Sequence, residues 1–442
     1  MKKYIYSVFI FFCTSFLFAQ EELNLSMQEA IDYAIKNSYN NKVAKNDIKA
    51  AIKRKWETTT MGLPQINGKV GYQNNLKQPI QLADFNNDGI DEELIFGTKQ
   101  NMNATATLSQ LLFDGSYLVG LQAAKTYLKI SEQAKVKTEL ATREAIINAY
   151  GNILVAEKLI KILQKNIKVL EKNFNDAKKI NENGLNEEED VEQLEITLSN
   201  VQNSLRNAIR LKDIAYQMLN LSLGNSIDAK LTLTDSLDTL IMSNTTLDLL
   251  SKKFNLDTHI DFKIAENDRE SKRLLMRLEQ SKGLPSLSAF LNYGVTGNSN
   301  SFTFLDKNQK WFGSSMLGVN LNIPIFSSLG RSAKTAQARI ELESADIRLE
   351  EVKQKLNLQT ASAKSEYQLS IENYQYAMKN MKLAARIEKK QQIKFFEGIS
   401  SSFDLSQAQN QLYTQQNNYV QSMLAVITKK AALENALNIP LK

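Results

Sequence analysis

The side chains with the chemistry of a catalyst are few in this sequence. His259 is the only histidine among 442 residues, and Cys13 is the only cysteine. Proton transfer, nucleophilic attack and metal binding need such groups in clusters, and His259 has no second histidine or cysteine with which to pair. The sequence also contains no glycine-rich phosphate-binding loop. We therefore predict that the protein is not an enzyme and carries no cofactor.

One acidic segment has the spacing of a metal-binding loop. From Asp84 to Asp91 the chain reads Asp-Phe-Asn-Asn-Asp-Gly-Ile-Asp, the start of a calcium loop. At the twelfth position of that loop, where a bidentate glutamate is needed, the chain has Ile95. No helical pattern flanks the segment. A calcium site and a solvated loop both remain open, and the solvated loop is favoured.

A second acidic run consists of Glu187, Glu188, Glu189 and Asp190, with Asp404 at the matching place 214 residues after Asp190. Carboxylates nearer to one another than the Debye length, about 8 Å at physiological salt, repel each other and attract cations. Each aspartate also begins the pattern of a capping box, as the N-cap of the helix that follows. We predict capping as the main role of the two aspartates. If several copies of the run converge, they would form a cation-attracting constriction.

The stretch that organises the rest of the chain is a pair of alternating segments between Gly283 and Phe326. Apolar residues take every second position in both segments. Ser288, Asn292 and Thr296 fall between them in the first segment, and Gly318, Asn320 and Asn322 in the second. The apolar positions are Leu287, Ala289, Leu291, Tyr293 and Val295, then Leu317, Val319, Leu321, Ile323 and Ile325. Each segment is about as long as a tilted membrane strand, roughly 9–11 residues. Alternation is typical of a transmembrane barrel and of a soluble sheet with one buried face, so both remain open here.

The same hairpin occurs earlier in the chain. Gly62-Leu63-Pro64 matches Gly283-Leu284-Pro285, 221 residues later. The apolar positions of the earlier copy are Ile66, Gly68, Val70 and Tyr72, then Ala104, Ala106, Leu108 and Leu112. Duplication at so long a period indicates two tandem copies of one large unit rather than a solenoid.

Most of the remaining chain is predicted to be helical. No proline lies between Pro79 and Pro285, and apolar residues recur at the heptad spacing of helices that pack side by side. One helix is expected from about Ser116 to Asn181, roughly 100 Å long at 1.5 Å per residue. The heptad positions are Ile160, Leu163, Ile167, Leu170, Phe174 and Ala177; Val191, Leu194, Leu198, Val201, Leu205 and Ala208; Tyr367, Ile371, Tyr374, Met378 and Met381; and Leu405, Ala408, Leu412 and Tyr419.

The ends of the helices have their own signals. Ser26 and Glu29 form a capping box, from which a helix is expected to run to about Thr58. Gly184 and Gly398 each separate two heptad segments, where a reversing chain often needs a residue with positive φ. We therefore expect the chain to turn back at these two glycines.

The first residues have the pattern of a secretory signal. Lys2 and Lys3 precede an apolar run, and cleavage is expected after Ala19. Because Cys13 lies inside this signal, the mature chain would have no disulfide. Basic and acidic side chains are interleaved along the helices, which indicates a solvated surface and excludes a nucleic-acid partner.

These signals together predict four segments. They are a signal peptide over 1–19, a first repeat over 20–224, a linker over 225–245 and a second repeat over 246–442. Each repeat begins with a helix. The hairpins and long helices are expected at about 64–113 and 116–222 in the first repeat, and at about 285–326 and 331–438 in the second.

The order of these elements resembles that of the TolC-like outer membrane efflux family. The residues that carry the resemblance are Gly62-Leu63-Pro64 with Gly283-Leu284-Pro285, Phe113 with Phe326, and Gly184…Asp190 with Gly398…Asp404. The resemblance implies an α+β membrane protein in which three chains, with four strands each, form a 12-stranded β-barrel continued by a long α-helical barrel. Four strands cannot close a barrel alone, and open edges are not tolerated in lipid, so membrane-embedded hairpins require an oligomer.

The resemblance also implies a function. It is the exit duct of a tripartite efflux pump for small toxic molecules, in the outer membrane of a Gram-negative bacterium with its helices in the periplasm. The implied partners are a homotrimer, a periplasmic adaptor, an inner membrane transporter and outer membrane lipid. We expect adaptor docking at the tips and a gate beside them. The docking residues are Gly184, Leu185, Gly398 and Ile399, and the gate residues are Glu187, Glu188, Glu189, Asp190 and Asp404.

Two alternatives remain open at this point. The same family includes exit ducts for type I protein secretion. A different class is a soluble periplasmic coiled-coil scaffold.

In some relatives an arginine beside the second tip glycine locks the tip, whereas this chain has Ile399, Ser400 and Ser401 there.

Overall fold

The computed structural model describes residues 23–83, 89, 92–245 and 247–439. The predicted signal peptide lies outside the described residues, and so does the calcium-like motif apart from Gly89. The chain forms two compact units. One consists of the described residues of 1–43, 137–255 and 356–442, and the other of those of 44–136 and 256–355.

The described chain consists of short strands, several shorter helices and four very long helices. The elements are β1 (Leu23–Leu25), α1 (Met27–Asn37), α2 (Tyr39–Thr60), β2 (Gln65–Asn74), β3 (Ile80–Ala83), β4 (Glu92–Ile95), β5 (Gln100–Asp114), α3 (Gly115–Glu182), α4 (Glu188–Leu223), β6 (Leu231–Leu233), α5 (Leu237–Asn244), α6 (Asp248–Ser251), α7 (Ile260–Ser281), β7 (Ser286–Ser299), β8 (Trp311–Asn322), α8 (Gly330–Phe396) and α9 (Ser402–Ala436). No described helix is both long enough and apolar enough to cross a membrane.

The first helical segment is interrupted where the sequence predicts continuity. The capping box of Ser26 and Glu29 is confirmed. The helix expected to continue to Thr58 instead ends at Asn37, because Ser38 is extended at φ −59° and ψ 147°. The Asn37 carbonyl packs tightly against Gly224, where an added Cβ would lie 2.3 Å from its oxygen. A contact distant in sequence therefore accompanies the break.

Four strands form one antiparallel sheet in the order β2–β5–β7–β8. Its register aligns Ile66, Leu108, Leu291 and Leu317 in a single row across all four strands. Because side chains opposite one another in register point to the same face, the predicted apolar positions of both hairpins share one face. The two copies therefore contribute to one continuous surface.

The sheet differs from the prediction at two places. Strand β8 ends at Asn322, so Ile323 and Ile325 lie outside the strand to which they were assigned. Pro324 lacks the N–H that a ladder needs, which accounts for the early end. In β5 the register shifts between Leu111 and Phe113, so that Phe113 rather than Leu112 is opposite Leu287. The extra residue of this bulge reverses the alternation beyond it.

A small hairpin extends the connection between β2 and β5. Strands β3 and β4 pair in antiparallel register, with Ile80 opposite Ile95. The sequence pattern predicts a loop in this region and neither of the two strands. They are only four residues each, too short for alternation to be distinguished from chance.

The segment between the two repeats belongs to the core of the first unit. Strand β6 pairs in parallel with β1, and α5 buries Leu237 and Ile241. Both side chains pack in the largest apolar cluster, with the fully buried Tyr150. The Tyr150 hydroxyl lies 3.0 Å from the Leu25 carbonyl oxygen and 3.2 Å from the Asp235 carboxylate. The segment thus connects the first strand to the helical core.

The heptad positions predicted from sequence pack against one another in the first unit. Ile167 and Leu170 of α3 contact Val201 of α4 in one apolar cluster. Nearer the turns, a second cluster joins α3, α4, α8 and α9. Its buried members are Ala177, Leu194, Phe395 and Leu405. Truncating a buried leucine of this kind to alanine typically costs about 2–5 kcal/mol, so these clusters hold each helix to its neighbours.

Candidate functional site

Two glycine turns reverse the chain between the long helices. Gly184 has φ 73° and Gly398 has φ 70°, which confirms the positive φ expected at both. The Leu185 N–H donates to the Ile180 carbonyl at 3.1 Å, and Ile399 repeats this bond with Lys394 at 2.8 Å. This is the hydrogen bond of a Schellman motif, which closes a helix C-terminus. We call these two turns the tips.

Each tip presents an apolar side chain to solvent. Leu185 is 78% exposed and Ile399 is 69% exposed. Nothing in the described residues covers either side chain in this single chain. Of the predicted docking residues, Leu185 and Ile399 thus place one exposed apolar side chain at each tip.

The acidic run begins helix α4, but its residues have different roles. Glu187 is the N-cap and makes no side-chain cap hydrogen bond, and Glu188 and Glu189 are exposed in the first turn. Negative charge at a helix N-terminus is favourable, by about 0.3–1 kcal/mol per group. Asp190 lies three residues inside the helix. The prediction that Asp190 is the N-cap of its own helix is therefore wrong.

Asp190 instead contacts the other tip. Its Oδ1 accepts a hydrogen bond from the Ser402 backbone N–H at 3.1 Å. Ser402 is the first residue of α9 and is buried, so its N–H needs an acceptor that the helix itself cannot supply. Sequence spacing could not reveal this bond, because the partners are 212 residues apart.

Asp404 has the local role that Asp190 lacks. The N-cap of α9 is Ser401, and Asp404 is the N3 partner of its capping box. The Asp404 carboxylate lies 3.0 Å from the Ser401 hydroxyl, and the Ser401 N–H donates to it at 3.3 Å. The prediction that Asp404 takes part in capping is confirmed, but its assignment as the N-cap is wrong, since the box starts three residues earlier.

Further polar contacts join the two tips through the helices behind them. Thr197 of α4 lies 2.9 Å from the Ser406 hydroxyl of α9, and Gln193 donates to the same hydroxyl at 3.3 Å. Between α8 and α3, the Gln392 side chain donates a hydrogen bond to the Asn173 side chain at 2.7 Å. The sequence patterns do not predict these contacts. In the sequence these residues are visible only as polar residues within apolar heptads, and that pattern does not identify their hydrogen-bond partners.

A carboxyl group is half-buried in the same bundle. Burial raises the pKa of Glu388, and the neighbouring Gln409 side chain opposes this to a smaller extent. Burial also raises the pKa of Tyr413, with a further contribution from the charge of Glu388. Gln409 is fully buried. A charged Glu388 is therefore disfavoured in this bundle.

The remaining chemical candidates show no arrangement for catalysis. His259 is the N-cap of α7 rather than a residue inside a helix. Its Nδ1 accepts the Asp261 N–H at 3.2 Å, a structural bond at a helix start. Within the ranges that the structure describes, no three His, Cys, Asp or Glu side chains are grouped closely enough to hold a metal.

The fold and the tips define a class of protein that joins a strand hairpin to long helical hairpins, twice in one chain. A family model of outer membrane efflux proteins matches residues 47–225 and 256–438. The chain belongs to the outer membrane efflux protein family, and the predicted TolC-like resemblance is confirmed. This is a family of channels rather than of enzymes.

Solved structures share the fold at low sequence identity. CusC matches with a TM-score of 0.75 and 16% identity, over 93% of this chain and 92% of CusC. The CmeC outer membrane channel of Campylobacter jejuni matches with a TM-score of 0.73 and 15% identity, over 93% of this chain and 85% of CmeC. The outer membrane protein VceC of Vibrio cholerae matches with a TM-score of 0.72 and 14% identity, over 94% of this chain and 97% of VceC. A comparison with curated protein sequences gives no match.

Proposed function

We propose that the chain is the outer membrane exit duct of a tripartite efflux pump for small toxic molecules, and that three copies form one 12-stranded barrel. The observation that carries this is the sheet. In the described chain β2 and β8 each have a strand on one side only, and an unpaired edge is not tolerated in lipid. Pairing β8 of one copy with β2 of the next would satisfy both edges.

The apolar face of the sheet supports a lipid environment. Ile66 and Leu317, at the two ends of the aligned row, are 76% and 77% exposed. A soluble sheet would bury this face beneath another layer. Here the apolar face is open, which favours the membrane barrel over the soluble scaffold.

The test substitutes, one at a time, two neighbouring residues of β7 that lie on opposite faces of the sheet. Leu291→Arg puts a charge on the proposed lipid face and should cost about 2–4 kcal/mol near mid-bilayer. Asn292→Arg, on the other face, is the matched control and should assemble much as the parent does. The measurement is the folded oligomer recovered from outer membrane fractions. Equal loss in both variants would contradict the assignment of the faces.

Exposed apolar stripes on the helices support self-association. On α8, Leu369, Tyr376 and Leu383 follow one another at intervals of seven residues, and all three are exposed. On α4 the exposed apolar side chains are Leu211, Ile214, Met218 and Leu221. Heptad stripes left open in one chain are covered when helices of neighbouring copies pack together. Three copies would thereby continue the barrel into a helical duct in the periplasm.

The gate is proposed at the tips. In a trimer, three copies of Glu187, Glu188 and Glu189 would converge, and their carboxylates would attract cations and repel anions. Changing all three to Gln should abolish cation preference and block by divalent ions in single-channel recordings. The bond from Ser402 to Asp190 joins the two tips beside this run, and we expect it to help to close the gate. Unchanged cation preference in the triple variant would remove the acidic run from the gate.

Adaptor docking is proposed at the exposed tip residues. A photo-cross-linking amino acid at Leu185 or Ile399 should capture the periplasmic adaptor when both proteins are expressed together. Met242, which is 77% exposed in the segment between the repeats, provides the control position. Capture from Met242 that equals capture from the tips would place docking elsewhere.

A further inference from the structure

The loop between β7 and β8 is folded onto the sheet. Thr303 Oγ1 lies 2.6 Å from the Gln309 amide oxygen and 2.9 Å from the Ser299 hydroxyl. The Asp306 N–H donates to the Thr303 carbonyl at 2.9 Å. Phe304, in the middle of the loop, is only 4% exposed. These bonds give the loop a defined conformation against the strands.

The loop completes one row of the apolar face. In register, Tyr72, Met102, Gly297 and Trp311 lie opposite one another across the four strands. A Cβ built on Gly297 would lie 3.3 Å from both the Phe304 and the Trp311 rings. The missing side chain thus leaves room for Phe304, which fills the gap in the row.

The result is a continuous aromatic surface, which we call the aromatic cluster. Its members are Tyr72, Phe302, Phe304 and Trp311. Ring centroids are 5.7 Å apart for Tyr72 and Phe302, 5.9 Å for Tyr72 and Phe304, and 6.3 Å for Phe304 and Trp311. Phe302 is 57% and Trp311 is 38% exposed, so the cluster has an open apolar side.

The position of the cluster along the strands corresponds to a membrane boundary. The row of Gly297 is six residues from that of Leu291, at the end of β7 away from the helices. At about 3.3 Å per residue and a strand tilt of about 40°, the two rows differ in height by roughly 15 Å. This is half of the hydrocarbon thickness of about 30 Å. With Leu291 near mid-bilayer, the aromatic cluster lies at the level of the headgroups.

Basic side chains accompany the cluster. Lys307 and Lys310 are exposed on the same loop, and no carboxylate among the described residues forms an ion pair with either. An apolar surface bordered by unpaired cations is complementary to a lipid whose headgroup carries phosphate. Tyrosine and tryptophan side chains, here Tyr72 and Trp311, favour the same boundary, with the ring in the apolar layer and the polar atom towards water.

We propose that the aromatic cluster and the two lysines bind phosphate-bearing glycolipid of the outer leaflet, and so anchor the barrel at the outer face of the membrane. The inference rests on the proposed function, since it requires the sheet to be in a membrane. It adds a lipid class and the residues that recognise it. Lys307 and Lys310 would contact the phosphates, while Phe302 and Trp311 would contact the upper part of the acyl chains.

The first experiment measures how deep Trp311 lies in the membrane. The chain has two tryptophans, Trp56 and Trp311, so Trp56→Phe leaves Trp311 as the only reporter. The protein is reconstituted in vesicles whose acyl chains are brominated either near the headgroup or near the chain end. We expect Trp311 fluorescence to be quenched more by the shallow bromines. Channels that conduct ions but show no shallow quenching would overturn the inference while leaving the proposed function intact.

The second experiment measures phosphate recognition. Diphosphoryl lipid A is titrated into phosphatidylcholine vesicles that hold the single-tryptophan protein, and the Trp311 emission shift gives the half-saturating fraction. The double change Lys307→Glu and Lys310→Glu should raise this fraction at least tenfold, since each basic group at an anionic surface contributes about a factor of five. The matched control changes two other exposed lysines, Lys53 and Lys334, to Glu.

The outcomes separate the two hypotheses. Dephosphorylated lipid A that acts as well as the diphosphoryl form would overturn phosphate recognition, as would an unchanged half-saturating fraction in the Lys307 and Lys310 variant. An equal rise in the Lys53 and Lys334 control would also overturn it, because the effect would then reflect net charge alone. Protein that neither inserts into vesicles nor conducts ions would instead contradict the proposed function itself.

Discussion

The bond between Asp190 and Ser402 connects the two tips, and its removal is the most direct test of the proposed gate. Asp190→Ala leaves the Ser402 N–H buried at the start of α9 without its acceptor at 3.1 Å. The neighbouring contacts of Thr197 and Gln193 with Ser406 remain in place. The change therefore weakens the connection between the tips at one defined point.

The magnitude follows from the type of bond. A hydrogen bond to a charged group contributes about 1.5–3 kcal/mol. Asp190 is only half-buried, and solvent screening brings the expected value to the lower end, about 1.5 kcal/mol. Since 1.4 kcal/mol is a factor of ten, Asp190→Ala should shift the ratio of open to closed channels about tenfold towards open. Asp190→Asn keeps an acceptor oxygen without the charge and should have a smaller effect.

Asp404 provides a matched control at the equivalent position of the second repeat. Asp404→Ala removes the partner of the Ser401 capping box, but it leaves the bond between the tips. It should lower the stability of α9 by about 1 kcal/mol, visible as a lower melting temperature, with the open fraction unchanged.

The assay is single-channel recording in planar bilayers, with thermal unfolding of the same preparations. The expected pattern is a raised open fraction for the Asp190 variant alone. If both alanine variants raised the open fraction equally, general loosening of the tips would account for the data. If neither did, the bond would not hold the channel closed, and the argument from its geometry would be refuted.

Two further predictions concern stability. Gly224→Ala should destabilise the protein far more than Gly184→Ala in thermal unfolding; both glycines have positive φ, but only at Gly224 would the new Cβ collide with the Asn37 carbonyl. Similar losses in the two variants would mean that backbone strain alone matters. Glu388→Gln should raise stability at pH 7. Burial raises the folded-state pKa of Glu388 above its ordinary value of 4.5. The carboxyl therefore favours unfolding increasingly as the pH rises from 4.5 to the folded-state pKa, whereas well below pH 4.5 it is protonated in both states. Melting curves in which the gain from Glu388→Gln does not shrink on acidification would contradict this.

Several features could be predicted from sequence because they depend on neighbouring residues. Positive φ at Gly184 and Gly398, the capping box at Ser26, and the long proline-free helix α3 are each set within a few residues along the chain. The alternation around Leu291 also identified which residues share a face of the sheet, since successive side chains of a strand point to opposite faces. Comparing the two repeats then located both tips and both hairpins.

Other features were decided by contacts between distant parts of the chain. The break at Ser38 accompanies the approach of Gly224, and the bulge at Leu112 is defined only against its partner strand. Asp190 and Asp404 have the same local pattern, yet one bonds to the opposite tip and the other completes its own cap. Phe304 fills a gap that Gly297 leaves 7 residues earlier in the chain, in a row that four strands must align to create.

The physical reason is the range of the interactions involved. Helix propensity, capping and alternation are properties of residues within about one turn or one strand of each other, so the long helices, the alternating strands and the two glycine turns could be predicted from sequence. A buried donor such as the Ser402 N–H needs an acceptor, but any oxygen within about 3 Å can serve. Which oxygen serves depends on how the helices pack, and local sequence does not specify that packing.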